Sequence, residues 1–208
     1  AYRAWSAAAD VVILNVLTLA GCLPVVTVGA SLTACARVAG EMVADDDPAV
    51  MSTWWRSFRL NLRQSLAWWL PVLVLVALSA WEYLLLSDSS LGENNGGVSG
   101  SLSGLVLAGG VLLAAILVWL LPLAAFFDAP VSRHLSNALR LAVGRLGVTV
   151  LALVIVAAPS IVFWGLAASR APVAWFMVLI GPAFQAYLVA LLQRSTMVAL
   201  RGASTSES

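Results

Sequence analysis

The amino-acid sequence predicts an all-α fold, a polytopic helical bundle in a membrane. The first observation is composition: 62% of the 208 residues are hydrophobic, 10% are charged, and lysine is absent. A water-soluble domain of this length rarely carries so little charge. The second observation is four apolar runs, each as long as the roughly 20 residues that a helix needs to cross a hydrocarbon core. These four predicted spans are 66–86, 102–127, 147–168 and 171–192.

The N-terminal part of the chain predicts one or two further spans. A first apolar run ends before Pro24, because proline lacks a backbone N–H and disfavours helix at the preceding residue. A weaker segment, 29–43, contains Arg37 and Glu41, whose i, i+4 spacing allows them to pair near the headgroups. Five or six spans are expected, depending on whether this segment crosses. The small residues at its start predict a packing face for neighbouring helices.

The distribution of arginine predicts the orientation. With six spans and a cytoplasmic N-terminus, ten of the eleven arginines lie at the inner side and only Arg170 lies outside. If 29–43 stays on the inner side, Arg3 and the N-terminus move outside while the later spans keep their orientation. Both arrangements place the C-terminus inside. We expect one integral membrane domain over 1–200 and a disordered polar tail over 201–208.

Two segments predict basic amphipathic helices on the inner leaflet. In 51–66, a helical period separates an apolar arc from Arg56, Arg59 and Arg63. The apolar arc contains Met51, Trp54, Trp55, Phe58 and Leu62. Such a helix directs its aromatic rings to acyl chains and its arginines to phosphates.

The second amphipathic segment follows about eighty residues later. Arg133 and Arg140 lie opposite an apolar face made of Val131, Leu135, Ala138, Leu139, Ala142 and Leu146. Each basic helix precedes an outward span, a loop and a returning span. Residues 51–127 and 131–200 are therefore candidates for a parallel internal repeat. The alternative, that any in-out-in hairpin with inner arginines gives this pattern, stays open.

Candidate binding residues lie at the interruption after the first span. Non-helical backbone at membrane depth must be buried in protein or line a watery cavity. The stretch 24–29 therefore either presents carbonyls to a ligand or forms a turn between two segments. Its candidate residues are Pro24, Thr27 and Gly29, joined by Asn15, which needs a hydrogen-bond partner inside the bundle. Gln185 has the same need, and Gly181-Pro182 predicts a kink in the last span.

Candidate interface residues come from the two basic helices, for a lipid or a protein partner. They are Trp54, Trp55, Arg56, Phe58, Arg59, Arg63, Arg133 and Arg140. Nothing in the sequence predicts an enzyme, a metal site or a cofactor. His134 is the only histidine, and no phosphate-binding loop, zinc-ligand spacing or catalytic carboxylate pair is present. Nucleic acid is not an expected partner, because no tract of basic residues forms.

The N-terminal third resembles a known family. The motifs that carry the resemblance are Asn15-Val-Leu-Thr-Leu, then Leu23-Pro-Val-Val-Thr-Val-Gly-Ala-Ser-Leu-Thr-Ala34, and then Trp55-Arg-Ser-Phe-Arg-Leu-Asn61 with Gln64-Ser65. They resemble the YesL family, small bacterial multi-span membrane proteins classified under a domain of unknown function. The chain departs from the family pattern at Ala30, where members often have proline.

The resemblance implies an association rather than a reaction. Family members are often encoded beside carbohydrate ABC importers, so we expect a non-enzymatic accessory or regulatory partner of such an importer in the bacterial cytoplasmic membrane. The acidic linker 45–47 and the arginine stripe are the expected contacts on the inner side. The alternative is a small transporter or ligand-binding membrane module that acts on its own. A homo-oligomer is compatible with either.

Overall fold

The protein is a bundle of α-helices. The computed structural model describes residues 2–44, 46, 48–88 and 96–206, and within these ranges it contains no strand. The all-α prediction is confirmed for this part of the chain. The helices are α1 (Tyr2–Cys22), α2 (Val28–Val43), α3 (Val50–Asp88), α4 (Gly96–Phe126), α5 (Val131–Gly144), α6 (Leu146–Gly165), α7 (Arg170–Leu179) and α8 (Gly181–Ser206).

Several helices are suited to a membrane interior. Among the described residues, three stretches are long and apolar enough to cross: Val50–Trp81, Gly104–Phe126 and Leu146–Gly165. They contain most of the first three predicted spans. The fourth predicted span, 171–192, is a broken pair, because α7 and α8 meet at a bend of 73°. The total of five or six spans stays a prediction.

The first predicted amphipathic helix is not separate from the span that follows it. The segment 51–66 and the span 66–86 form the single helix α3, because no glycine or proline interrupts the chain between them and Pro71 is accommodated inside the helix. The second amphipathic segment is a separate helix, since α5 ends before Arg145 and α6 begins after it. The two expected repeats thus differ in their described helices, two in the first and four in the second, and the repeat is not confirmed.

The interior consists of two apolar clusters, and α3 contributes buried residues to both. One cluster surrounds Trp119, which is fully buried, and draws residues from α3 to α6. The other joins α1, α2, α3 and α8 around Leu14, Val38 and Trp54. The small-residue face predicted at the start of α2 is buried, as close helix packing in a membrane requires.

The outer surfaces of α3, α4 and α6 are strongly apolar. Leu75, Leu107 and Ile161 are each more than half exposed, and many neighbours on these helices are similar. An apolar surface of this extent is suited to lipid rather than water. At its C-terminal end α8 continues to Ser206, into the predicted tail. Asp45, Asp47 and residues 89–95 and 207–208, on which parts of the linker, outer-loop and tail predictions fall, lie outside the described residues.

Candidate functional site

The connection between α1 and α2 is a tight turn centred on Thr27. The Thr27 hydroxyl lies 2.7 Å from the Gly21 carbonyl oxygen and 2.8 Å from that of Pro24. The indole N–H of Trp69 donates to the Val25 carbonyl over 2.8 Å. Three carbonyls at the break are therefore bonded within the protein.

Gly29 is a packing residue rather than part of a cavity. A Cβ atom at this position would lie 2.9 Å from Cβ of Trp69 and 3.2 Å from the Trp68 ring. Only glycine allows α2 to approach α3 this closely without displacing a side chain.

A cavity of about 350 Å³ lies beside the turn, and we call it the aromatic cavity. Pro24 and Thr27 line one side, and three aromatic rings of α3 line the other, those of Trp54, Trp55 and Phe58. The sequence assigned these residues to two separate sites, and the structure brings them together. Trp54 is 4% exposed, and its Nε1–H has no acceptor among the described residues.

Asn15 lies elsewhere, at the break between α7 and α8. Its side chain is fully buried, and Nδ2 donates to the Val178 carbonyl over 2.8 Å. Its Oδ1 accepts from the backbone N–H of Ala183 over 3.1 Å. A helix end leaves its last carbonyls and first N–H groups unbonded, so Asn15 supplies the partners that this break needs. The expectation of a partner inside the bundle is confirmed, and the partner is backbone.

The N-terminal part of α3 presents aromatic and basic side chains to the outside. The rings of Trp54, Trp55 and Phe58 are stacked, with centroids 5.0 to 6.3 Å apart. The Arg59 guanidinium lies 4.8 Å from the Trp55 ring centroid, a cation–π contact. Trp55, Arg56, Arg59 and Arg63 are exposed, and we call these four residues the basic aromatic face.

Helix α5 carries Arg133 and Arg140 on its exposed side, as predicted, but its buried side differs from the predicted apolar face. Ala138 is buried, whereas Leu135 and Leu139 are 47% and 44% exposed. The buried stripe is His134, Ala138 and Ala142. Packing against α4 selects the side with small residues, and the larger leucines remain outside.

His134 is buried without a partner for one nitrogen. The side chain is 2% exposed, and Nε2 bonds to no described residue. Burial lowers the pKa of the imidazole, while the Asp128 carboxylate and a hydrogen bond with the Phe127 backbone oppose that shift. The neutral form is thus favoured at this position.

A larger cavity of about 500 Å³ lies between α2, α4, α6 and α8, and we call it the central cavity. Its lining is mainly apolar, with three polar side chains from α8, those of Gln185, Gln193 and Arg194. Sequence reasoning did not find it, because its walls come from four helices far apart in the chain. The signals that pointed towards it were the small residues of α2 and the kink at Pro182, both of which line it.

The fold and these surfaces are consistent with a helical membrane protein, since three helices in the described ranges are long and apolar enough to cross a membrane. No group of three or more His, Cys, Asp or Glu side chains in the described ranges is placed to hold a metal ion. Residues 11–83 match the family described as "Protein of unknown function, DUF624", the family to which YesL proteins belong. The matched range contains the turn at Thr27 and the basic aromatic face. No curated protein and no solved structure gave a match.

Proposed function

We propose that this protein is a YesL-like, non-enzymatic accessory or regulatory partner of a carbohydrate ABC importer in the bacterial cytoplasmic membrane. The importer as partner rests on the family resemblance, and the basic aromatic face is the observation that makes a partner contact physically reasonable. Exposed aromatic and arginine side chains are the residue types that contribute most at protein interfaces.

The basic aromatic face is anchored rather than flexible. Trp54 packs into the core beside Gly21, whose added Cβ would lie 2.9 Å from the Trp54 ring. Trp55 stacks on Trp54, and Arg59 contacts Trp55 through the cation–π interaction. These contacts restrict the side-chain conformations of Trp55 and Arg59. A surface ordered before binding loses less conformational entropy when a partner docks.

The hydrogen bond between Trp69 and the α1–α2 turn favours five spans, with α2 on the inner side and the N-terminus outside. Trp69 bonds Val25 in the α1–α2 turn, and α3 continues from there to Asp88. At 1.5 Å per residue, those 19 steps are about 28 Å, close to a complete hydrocarbon thickness of roughly 30 Å. With Asp88 at the outer surface, the turn lies near the inner boundary. The C-terminus of α8 is then inside.

Cysteine labelling tests this topology in a variant without the native Cys22 and Cys35. A membrane-impermeant maleimide should label Arg3→Cys on intact spheroplasts. It should label Ser132→Cys in α5 only after permeabilisation. Labelling of both cysteines only after permeabilisation would favour six spans instead.

Co-purification tests the partner. The protein is extracted from native membranes in mild detergent, and its companions are identified by mass spectrometry. We expect importer subunits with the wild type and fewer with a variant carrying Trp55→Ala, Arg56→Gln and Arg59→Gln. A control carrying Leu75→Ala, in the lipid-facing part of α3, should retain them. Recovery of a homogeneous homo-oligomer without importer subunits would contradict the proposal.

A second function, a ligand-binding module or small transporter acting alone, is supported by the aromatic cavity. Its stacked rings offer π-faces, and the unpaired Trp54 N–H offers a donor. This function predicts ligand-dependent thermal stabilisation of the purified protein, or uptake by proteoliposomes that contain no other protein. Phe58→Leu should reduce either effect, and no response across a library of small polar and aromatic solutes would exclude it.

A further inference from the structure

We propose that the central cavity binds a single-chain anionic glycerophospholipid, a molecule with one acyl chain, a free hydroxyl and a phosphate. This site is separate from the aromatic cavity and from the basic aromatic face. The inference does not depend on the importer.

The body of the cavity fits one acyl chain. Its lining follows α8 from Pro182 to Val198, a distance of 16 helical steps or about 24 Å. Leu117, Leu121 and Val189 are among its walls. A volume of about 500 Å³ lies within the usual range of small-molecule sites, roughly 300–1,000 Å³. Apolar walls of this length favour an elongated apolar occupant, since each buried CH₂ contributes about 0.8 kcal/mol.

Gln193 supplies an acceptor on the α8 wall of this cavity, one helical turn before Met197 and Val198. Its side chain is 2% exposed, and Nε2 donates to the Val118 carbonyl over 3.0 Å. No described residue donates to its Oε1, and this oxygen is not sealed off from the cavity that Gln193 lines. A ligand hydroxyl at the cavity wall would satisfy it.

Arg194 supplies the cation beside that acceptor. It lines the cavity, and it makes no hydrogen bond or ion pair within the described residues. The neighbouring Arg37 differs, because it is occupied by Glu41 and by the Ala125 carbonyl. A guanidinium without a protein partner at the rim of an apolar cavity suits a phosphate.

Gln193 and Arg194 are adjacent on α8, as the hydroxyl-bearing carbon and the phosphate are adjacent in the ligand. In a lysophosphatidic acid the acyl chain is followed by the hydroxyl-bearing glycerol carbon and then by the phosphate. A fatty acid lacks the hydroxyl, and a monoacylglycerol lacks the phosphate, so neither satisfies both side chains.

Photolabelling of the full chain in nanodiscs tests the site. The probe is lysophosphatidic acid with a diazirine in its acyl chain, and labelled residues are identified by mass spectrometry. We expect labels on cavity walls such as Leu117 and Val189, competed by unlabelled lysophosphatidic acid. Ala190→Phe, which fills the cavity, should remove these labels, while Leu151→Phe on the exposed side of α6 should leave them. Labels confined to exposed residues such as Leu107 and Leu151 would overturn the proposal.

Competition with three ligands of equal chain length tests the head group. Arg194→Gln should weaken lysophosphatidic acid about tenfold and leave monoacylglycerol unchanged, with Arg145→Gln, an exposed arginine outside the cavity, as the matched control. Gln193→Met should weaken lysophosphatidic acid about fivefold and leave its deoxy analogue unchanged. Because the readout compares two ligands on one variant, a general loss of folding cannot imitate it. Equal losses for both members of either pair would contradict the assignment.

Discussion

Asn15 and Ala183 are joined by a hydrogen bond in which the Ala183 backbone N–H donates to Asn15 Oδ1 over 3.1 Å. The amide nitrogen of the same side chain donates to the Val178 carbonyl, on the other side of the break. One residue of α1 therefore serves the end of α7 and the start of α8. In a membrane interior no water replaces such a partner, so the 73° bend depends on the first helix of the chain.

Asn15→Leu should destabilise the protein strongly. It leaves the part-buried Val178 carbonyl and the buried Ala183 N–H without partners, and an unsatisfied buried group costs about 1–3 kcal/mol. We expect the free energy of unfolding in mixed micelles to fall by about 2–4 kcal/mol. Val16→Leu, on the exposed side of the same helix, is the control and should change it by less than about 0.5 kcal/mol. Equal stability of the two variants would mean that the bend does not need Asn15.

Gly29→Ala should separate α2 from α3. The new methyl group would meet Cβ of Trp69 at 2.9 Å, and a Cβ atom cannot rotate away. The expected cost is about 1–3 kcal/mol in unfolding free energy. Gly110→Ala is the matched control, because no atom lies within 4 Å of its added Cβ. That change should be neutral or slightly stabilising in the interior of α4.

Acidification should destabilise the protein through His134. Its folded pKa lies below the ordinary 6.5, so the unfolded chain binds the proton more readily. Stability should be complete above about pH 6.5, fall as the pH drops below it, and level off once the folded pKa is passed. The Asp128 carboxylate raises the pKa of His134 and so reduces the difference between the folded and the unfolded pKa. The pH range over which stability falls is therefore narrower. His134→Asn should flatten the curve of melting temperature against pH, and an unchanged slope would contradict the role of His134.

Alanine substitutions at Trp54 and Trp55 should have different effects, one on stability and the other on partner binding. Trp54→Ala removes a buried ring and should cost about 3–5 kcal/mol of unfolding free energy. Trp55 is 48% exposed, so Trp55→Ala should cost less than about 1 kcal/mol. The second variant should nevertheless reduce recovery of the partner in pull-downs. If the Trp55 variant unfolds as readily as the Trp54 variant, the ring is structural and the basic aromatic face loses its support.

The sequence predicted what depends on local pattern. Apolar length located the long helices, Pro24 located the end of α1, and Gly181-Pro182 located the bend. The i, i+4 pairing of Arg37 with Glu41 was also correct. Each depends on residues within one or two helical turns.

Contacts between helices that are far apart in the chain could not be predicted from the hydropathy pattern. Hydropathy required a partner for Asn15, but it could not indicate that the partner lies at the far end of the chain. In α5 the amphipathic arc allowed several faces, and the choice of His134 with Ala138 and Ala142 depended on the shape of α4. The central cavity is lined by residues of four helices that are far apart in the chain, so no local sequence pattern indicates it.

Site-specific photocrosslinking in native membranes tests the central proposal most directly. A photoreactive phenylalanine replaces Arg56 or Leu60 in the exposed N-terminal part of α3, and Leu75 in its lipid-facing part serves as control. We predict that positions 56 and 60 crosslink to a subunit of a carbohydrate ABC importer and that position 75 does not. Crosslinks from 56 and 60 only to lipid, or only to a second copy of this chain, would contradict the account.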